Sequence, residues 1–305
     1  MPKISPSLRD ALKADILHML SAQGYQVTER QITLPSHASK EDLRRIHSVA
    51  CAHKLAEAER VFRRHESRLL DYIADGEEVC PEAIRPRLVQ VESESDEALL
   101  FRYACLHWTV PVSSGYGRRL RFLVIDESNG KLIGLFGLGD PVYSIGPRDA
   151  WIGWDRETKK HRLYHIMDAY VLGAVPPYSM LLCGKLVALA VVSNEVRQCF
   201  SRKYADHLTL IRGQQRPAWL ALVTTTSALG RSSIYNRIRL NGHQFWTSLG
   251  YTQGTGEFHF SNGIYEKIRG FAEANCVPTA KDQLWGKGFR SKREVIKKSL
   301  TSLVS

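Results

Sequence analysis

The sequence has few of the features that mark exported or membrane-spanning proteins. Its longest apolar run, residues 180–192, is interrupted by Gly184 and Lys185, whereas a membrane span needs about 18 apolar residues in succession. The first residues, MPKISPSLRD, lack the apolar core of a signal peptide. The 6 cysteines are far apart and form no CxxC pair, which is typical of reduced thiols. We therefore expect a cytoplasmic protein that has no contact with a membrane.

Motifs of several enzyme classes are also absent. The chain contains no GxxxxGK[ST] phosphate loop, no GxSxG nucleophile turn, and no HExxH or DxD motif. These absences leave no indication of nucleotide hydrolysis, of a serine hydrolase or of a metal site. We expect no bound metal.

The chain is strongly basic, and the excess charge is clustered. It has 42 Lys and Arg residues against 31 Asp and Glu residues, for a net charge of +11. Between Arg197 and Arg239 there are 8 basic residues and 1 acidic residue, and between Lys281 and Lys298 there are 7 and 2. Clustered positive charge favours a polyanionic partner, and DNA is the partner that we expect first. The alternative is a solvated surface that serves solubility.

The N-terminal part of the chain has helical periodicity. Apolar residues at helical spacing predict a helix over 7–22, and a second, longer helix begins near Ser39 and ends before Gly76. The following segment, CPEAIRPRLVQVES, contains Pro81 and Pro86 and has the composition of a linker.

The middle of the chain is predicted to be an α+β core. Residues 120–125 and 131–138 are apolar strands joined by a turn that contains Asn-Gly, a strong hairpin signal. Further strands are predicted at 163–174, 219–224, 245–251 and 257–262, with one long helix after the VPPYS segment and a short helix at 232–238. Because strand, helix and strand follow one another, we predict a mixed β-sheet with flanking helices.

These patterns divide the chain into three consecutive parts. We predict an N-terminal helical module at 1–80, a mixed α/β core at 81–265, and a basic C-terminal tail at 266–305 that forms two helices.

One acidic residue stands out within an apolar strand. Asp168 lies in the segment YHIMDAYVLGA, where a carboxylate needs a hydrogen bond, an ion pair or a shifted pKa. Acids of this kind concentrate at working sites, although structural pairs produce them as well. Downstream, Lys185 lies in an otherwise apolar helix, where it either extends to solvent or reaches a phosphate.

Two segments place arginines beside glycines or aromatic residues. Arg118 and Arg119 follow a Gly-rich turn in SSGYGRRLRF, and such a turn can hold a phosphate through backbone N–H groups and guanidinium groups. Arg148 lies in GDPVYSIGPRDAWIGWD, whose aromatic residues could stack a base. The alternative for both segments is an ordered loop with structural arginines.

The segment TTTSALGRSSIYNR, residues 224–237, concentrates hydroxyl groups after a predicted strand. It contains Arg231, Ser233, Tyr235 and Arg237. A polar run at the carboxyl end of a strand can line an anion or substrate cleft. The alternative is a Ser/Thr-rich turn that caps the next helix.

Taken together, these segments resemble the DruA family of the Druantia anti-phage system. The resemblance covers about residues 100–262 and is carried by WTVPVSSGYGRRLRFLV, LIGLFGLGDPVYSIGPRDAWIGW, MDAYVLGAVPPYSMLLCGKLVAL and LVTTTSALGRSSIYNRIRL. It implies a role in bacterial defence against phage beside other Druantia proteins, including a helicase-like partner, or an accessory role beside mobile-element transposases.

The order of elements from 131 to 260 is also similar to the core of GNAT-like N-acetyltransferases. On that resemblance, 163–174 would be the central strand, and the turn with Tyr178 and Ser179 would hold the pyrophosphate of an acyl-CoA cofactor. Tyr235 would be the general acid for the departing thiolate. The usual [RQ]xxGx[GA] signature does not follow the strand, so the cofactor stays open.

Two hypotheses about function follow. In the first, the chain is an acyltransferase-like enzyme acting on nucleic acid or a nucleotide, with Asp168, Ser233 and Tyr235 in the cleft. In the second, it is a non-catalytic DNA-binding subunit of a defence complex, or a transposition accessory protein. In both, the predicted phosphate contacts are Arg118, Arg119, Arg148, Lys185, Arg231 and Arg237.

Overall fold

A computed structural model describes most of the chain. The described residues are 6–28, 32–35, 38–113, 117–208, 213–230, 234–252, 260, 263–279, 284–286 and 288–304. By its contacts the chain forms two compact units, one of Met1–His53 with Gly254–Ser305 and one of Lys54–Gln253. This grouping joins the two ends of the chain, whereas the sequence prediction has three consecutive parts, and its boundaries at 80 and 265 stay predictions.

The helices and strands are given in chain order. The α-helices are α1 (Pro6–Ala22), α2 (Lys40–Phe62), α3 (Glu66–Leu70), α4 (Asp96–Leu106), α5 (Gly146–Ile152), α6 (Arg156–Arg162), α7 (Gly184–Ala190), α8 (Asn194–Tyr204), α9 (Ile264–Asn275) and α10 (Phe289–Val304). The strands are β1 (Gln26–Val27), β2 (Ile32–Thr33), β3 (Pro86–Gln90), β4 (Arg119–Asp126), β5 (Leu132–Gly139), β6 (Ile166–Ala174), β7 (Leu222–Thr224), β8 (Arg239–Leu240) and β9 (His243–Gln244).

The Lys54–Gln253 unit is built on one five-stranded sheet in the order β3-β4-β5-β6-β7. The first four strands are antiparallel to their neighbours, and β6 and β7 are parallel. Because a parallel pair needs a crossover connection, α7 and α8 lie between β6 and β7 in the chain. The prediction of an α+β fold with a mixed sheet is therefore confirmed.

Apolar side chains cover both faces of this sheet. On one face Phe122 and Phe136 stack at 4.9 Å between ring centroids and pack with residues of α7 and α8. On the other face Leu123 and Leu135 pack with residues of α4. All residues of β5 are buried, which explains why its sequence is apolar throughout rather than alternating.

Strand β3 replaces part of the predicted linker. Pro86 lacks an N–H group, but it occupies the first position of an edge strand, where proline is tolerated. Leu88 and Val89 then pair with Val124 and Leu123 of β4. The two prolines of this segment are typical of a linker. The strand was not predicted because its pairing partner, β4, lies far along the chain.

Two helices predicted as continuous are each divided in the structure. The helix after the VPPYS segment begins only at Gly184, and it is interrupted before α8, where the Ser193 side chain accepts a hydrogen bond from the Val196 N–H group. Ser193 is thus a helix N-cap rather than an interior residue. The second helix likewise ends at Phe62, and α3 follows after a turn.

The segment after β7 contains less regular structure than predicted. The predicted helix at 232–238 is a single 3-10 turn at Tyr235–Arg237 among the described residues. The predicted strand at 245–251 does not form; there the Trp246 carbonyl accepts a hydrogen bond from the Gln244 side chain at 2.7 Å instead of pairing with a strand. The predicted strand at 257–262 lies outside the described residues except for Phe260.

The unit that joins the chain ends is helical. Leu20 of α1 and Ile268 of α9 are fully buried in one apolar cluster with Val295 of α10. Ser299 Oγ donates to the Ile268 carbonyl at 3.2 Å. The predicted helices at 7–22 and in the tail are therefore confirmed as α1, α9 and α10.

Candidate functional site

The strand pair β6–β7 opens soon after it forms. Three residues of β6 pair with β7, and the last pair joins Asp168 to Thr224. Beyond that point β7 has ended, whereas β6 continues to Ala174 and keeps its pairing with β5. Within the described residues, the β7 side of β6 beyond Asp168 is therefore not paired with another strand, and we call this edge the β6 cleft.

Side-chain hydroxyls take the place of a strand along the β6 cleft. Thr225 Oγ1 donates to the Ala169 carbonyl at 2.9 Å, and the Tyr235 hydroxyl donates to the Leu172 carbonyl at 3.0 Å. Backbone carbonyls need a hydrogen-bond partner when buried. The polar run after β7 supplies those partners. The sequence predicted this polar run at the end of the strand, but not the carbonyls that it binds.

Tyr235 is held by packing as well as by its hydroxyl. Its ring stacks on Trp246 with 5.5 Å between centroids, and Trp246 Nε1 donates to the Ala188 carbonyl at 3.1 Å. Burial raises the pKa of Tyr235 to about 12. The phenol is therefore neutral and keeps its proton near pH 7.

Asp168 lies at the point where the strand pair opens. Its Oδ1 accepts a hydrogen bond from Thr224 Oγ1 at 2.8 Å. Burial raises the pKa of Asp168, against the lowering effects of the Thr224 hydrogen bond and of Arg148. Of the three alternatives that the sequence left open for this carboxyl group, the structure shows the hydrogen bond and the shifted pKa.

The structure does not bring Asp168 and Tyr235 into contact. Tyr235 reaches Leu172, four positions beyond Asp168 on the same strand, which corresponds to about 13 Å along β6. Tyr235 packs with the cluster that contains Met167 and Ala169, and Asp168 between them projects to the other face of the sheet. The two groups cannot exchange a proton directly. The third predicted catalytic residue, Ser233, lies outside the described residues.

The turn after β6 uses its polar groups internally. Tyr178 is fully buried, and its hydroxyl donates at 2.9 Å to Oδ2 of Asp126, the last residue of β4. The backbone N–H groups of residues 179–183 all donate to carbonyls within residues 175–179. In this conformation the turn offers few donors to a pyrophosphate. Of the two predicted cofactor contacts, only Ser179 is exposed.

Two of the predicted phosphate-binding arginines are engaged inside the protein. Arg118 Nε donates to Asp140 Oδ1 at 2.7 Å, and its Nη1 donates to the Tyr164 carbonyl at 2.7 Å. Arg148 is 1% exposed and donates to Asp149 and to the carbonyls of the Val142–Tyr143 loop. Contact of either guanidinium with a phosphate would require these networks to open.

The other predicted phosphate contacts are on the surface or outside the described residues. Arg119, Lys185 and Arg237 are exposed. Lys185 and Arg237 make no side-chain hydrogen bond or salt bridge within the part of the chain that the structure describes. Arg231 lies outside that part.

The described residues contain neither a metal-ligand cluster nor a membrane span. No group of three His, Cys, Asp or Glu side chains among them could hold a metal ion. Among the same residues, no helix has the length and apolar character needed to cross a membrane.

The fold and the cleft define a class of protein: a mixed α+β domain in which a strand–helix–strand crossover leaves a strand edge covered by side-chain hydroxyls. The family described as Druantia protein DruA matches residues 37–304. The Druantia protein DruA of Escherichia coli (strain UMEA 4076-1) is 39% identical over 301 residues, which cover 98% of this chain and 74% of that protein. The chain belongs to the DruA family. No solved structure matches it.

Proposed function

We propose that the chain works in anti-phage defence as the DruA component of a Druantia system, and that it binds DNA there. Membership of the DruA family supports the defence role. The net charge of +11 and the exposed Arg119, Lys185 and Arg237 support a polyanionic partner. Other Druantia proteins, including a helicase-like protein, are the expected protein partners.

We further propose that the β6 cleft is a working site in a GNAT-like core. The observation that carries this proposal is the strand order. An antiparallel run from β3 to β6 is followed by a parallel β7, which leaves β6 after Asp168. The Thr225 and Tyr235 hydroxyls that bind the Ala169 and Leu172 carbonyls could be displaced by a ligand that offers N–H or O–H donors.

The substrate of this cleft is better described as a nucleic-acid or nucleotide group than as an acyl-CoA. The internal hydrogen bonds of residues 179–183 and the burial of Tyr178 do not fit a pyrophosphate site. Tyr235, neutral at pH 7, has the protonation state of a general acid once its hydroxyl leaves Leu172. Asp168 acts separately, at the start of the cleft.

The substitution Tyr235→Phe tests this role. It keeps the ring on Trp246 and removes only the hydroxyl. Tyr204→Phe is the matched control, because the Tyr204 hydroxyl also donates to a backbone carbonyl, that of Arg119 at 2.9 Å, and burial also raises its pKa to about 12. Each variant is expressed with the complete Druantia system, and phage plating, melting temperature and DNA affinity are measured.

A working site predicts that Tyr235→Phe abolishes protection with folding and DNA affinity intact, and that Tyr204→Phe protects normally. The alternative function, a non-catalytic DNA-binding subunit or a transposition accessory protein, predicts that both variants protect equally. Loss of protection by both variants to the same degree would assign the effect to stability and contradict a catalytic role for Tyr235.

A further inference from the structure

Three aromatic side chains are exposed on neighbouring segments of the Lys54–Gln253 unit. Tyr143 is 49% exposed, Trp151 is 59% exposed and Trp219 is 46% exposed. Aromatic residues bury large areas when they pack, and exposed tryptophan and tyrosine are enriched where proteins bind partners. We call these three rings together with helix α6 the aromatic–basic surface.

Helix α6 joins the segments that carry the three rings. Lys159 Nζ lies 4.8 Å from the Tyr143 ring centroid and 2.8 Å from Asp149 Oδ2 in α5, the helix that carries Trp151. Arg216 Nη1 donates to the Lys160 carbonyl at 3.2 Å, which ties the segment with Trp219 to the same helix. The rings therefore lie on segments that contact one short helix.

A network of largely buried charges joins α5, which carries Trp151, to α6 and to the loop of Tyr143. Arg148 and Lys159 both bind Asp149, with side chains 1%, 11% and 14% exposed, respectively. Burying three charged groups is rarely the most stable way to fill such a space. The network instead fixes the loop of Tyr143, because Arg148 donates to the carbonyls of Val142 and Tyr143. Trp219 is likewise fixed, stacked 3.9 Å from His165 at an angle of 18°.

The charge of α6 matches a phosphate backbone. Its sequence, RETKKHR, has 4 basic residues and 1 acidic residue. Arg156 and Arg162 are exposed and make no side-chain hydrogen bond or salt bridge to the residues that the structure describes. Exposed aromatic rings on segments that contact a helix with unpaired guanidinium groups suit unpaired bases, which stack on the rings while the cations bind phosphates. Duplex bases are already stacked on one another and gain nothing from the rings.

We infer that single-stranded nucleic acid binds across the aromatic–basic surface, with bases on Trp151 and Trp219 and phosphates on Arg156 and Arg162. This inference rests on the proposed nucleic-acid binding and adds the form of the strand. The surface is distinct from the β6 cleft and serves to position the strand.

The test measures fluorescence anisotropy of labelled 20-nucleotide oligo(dT), oligo(rU) and a mixed-sequence 20-bp duplex. Trp151→Ala and Trp219→Ala are each expected to weaken single-strand binding by about tenfold, the loss of roughly one stacked base. Tyr72→Ala is the matched control. The Tyr72 carbonyl accepts from the Leu132 N–H group at the start of β5, about 20 Å along the strand from the loop that follows Gly139. The Tyr72→Ala variant should bind single strands as tightly as the unsubstituted protein does.

The outcomes separate this inference from the proposed function. If the unsubstituted protein binds neither oligonucleotide nor duplex, the proposed nucleic-acid binding fails. If it binds them but both tryptophan variants bind single strands as tightly as the unsubstituted protein does, only this inference is wrong. The same holds if the protein binds duplex as tightly as oligo(dT). Loss of a Druantia protein partner at unchanged DNA affinity would also overturn it, and would assign the surface to that protein.

A second measurement does not depend on the folding of variants. Ultraviolet crosslinking of a 5-bromodeoxyuridine oligonucleotide to the unsubstituted protein, followed by peptide mass spectrometry, should mark Tyr143, Trp151 or Trp219. Crosslinks confined to other peptides would contradict the inference. A preference for oligo(rU) over oligo(dT) would identify RNA rather than DNA as the strand.

Discussion

The Tyr178 hydroxyl donates to Oδ2 of Asp126 at 2.9 Å across 52 positions of sequence. Asp126 is fully buried, and its Oδ1 also accepts from the N–H groups of Arg85 and Ser128 at 3.0 Å. Burial by itself raises the pKa of Asp126, but these hydrogen bonds outweigh it and the pKa is lowered. This one carboxylate therefore joins the start of β3, the β4–β5 turn and the turn after β6.

Tyr178→Phe should lower the free energy of unfolding by about 2 kcal/mol, because it removes a hydrogen bond to a buried charged group. Tyr204→Phe, which removes a hydrogen bond to a neutral carbonyl, should cost about 1 kcal/mol. Urea unfolding at pH 7 measures both.

The lowered folded-state pKa of Asp126 gives stability that is present above the unfolded value of 3.8 and is lost in stronger acid. The Tyr178→Phe effect should therefore shrink as the pH falls below 3.8. Equal effects of the two variants at pH 7 would contradict a role for the charge.

Asp168→Asn should make the protein more stable at pH 7. The raised pKa of Asp168 means that the unfolded carboxyl group ionises more readily than the folded one. Its favourable contribution is thus complete below the unfolded value of 3.8 and is lost as the pH rises through the folded pKa. Asparagine can still accept the Thr224 hydrogen bond without carrying a charge. The gain in melting temperature should be present at pH 7 and much smaller near pH 4, and a loss at pH 7 would be the contrary result.

Arg148→Met should destabilise the protein by about 3 kcal/mol, because a buried ion-pair network loses one partner and nearby carbonyls lose their donors. The loop with Val142 and Tyr143 should become a site of early cleavage in limited proteolysis. The matched variant Arg87→Met removes an exposed pair with Glu127 and should change stability by less than about 1 kcal/mol. Equal proteolysis of the two variants would show that Arg148 does not fix the loop.

Replacing Gly134 and Gly270 with alanine should change the stability of the protein in opposite directions. A Cβ atom at Gly134 would lie 2.4 Å from the Gly173 carbonyl oxygen and 2.8 Å from the Ala174 Cα atom, both of them backbone atoms of β6. Gly134→Ala should therefore cost about 3 kcal/mol or prevent folding. Gly270 lies in α9 with no atom within 4 Å of the Cβ position, and Gly270→Ala should add about 0.5–1 kcal/mol. Thermal melting checks both, and tolerance of alanine at Gly134 would contradict the close approach of β5 and β6.

Local patterns predicted the parts of the fold whose signal is local. The Asn-Gly turn specified the β4–β5 hairpin, and the order of strand, helix and strand specified the parallel pair β6–β7. Strand β3 was missed because its prolines are typical of a linker and its pairing with β4 leaves no signal in the local sequence. The polar run after β7 was correctly noted, but that Tyr235 would reach the Leu172 carbonyl depends on packing against Trp246.

The predicted phosphate-binding arginines also show what the sequence alone does not determine. Arg118 and Arg148 have the residue types and neighbours expected of phosphate contacts, yet Asp140 and Asp149 bind their guanidinium groups within the protein. A sequence shows that an arginine is present, but whether its donors are free depends on distant carbonyls and carboxylates. The aromatic residues of the segment around Arg148, which include Trp151, were predicted to stack a base. Trp219 carried no such signal in the sequence, because tryptophans are mostly buried on average.

The central claim, that the chain binds nucleic acid through its basic surface, is tested most directly by the affinity of the full chain for DNA across a salt series. If it neutralises about four phosphates, the affinity should fall by about a hundredfold between 50 and 200 mM salt. Replacing Lys185 or Arg237 with Gln should lower the slope of that dependence by about one unit, and Arg87→Gln should leave it unchanged. Absence of binding at 50 mM salt, or an affinity that does not change with salt, would contradict the account.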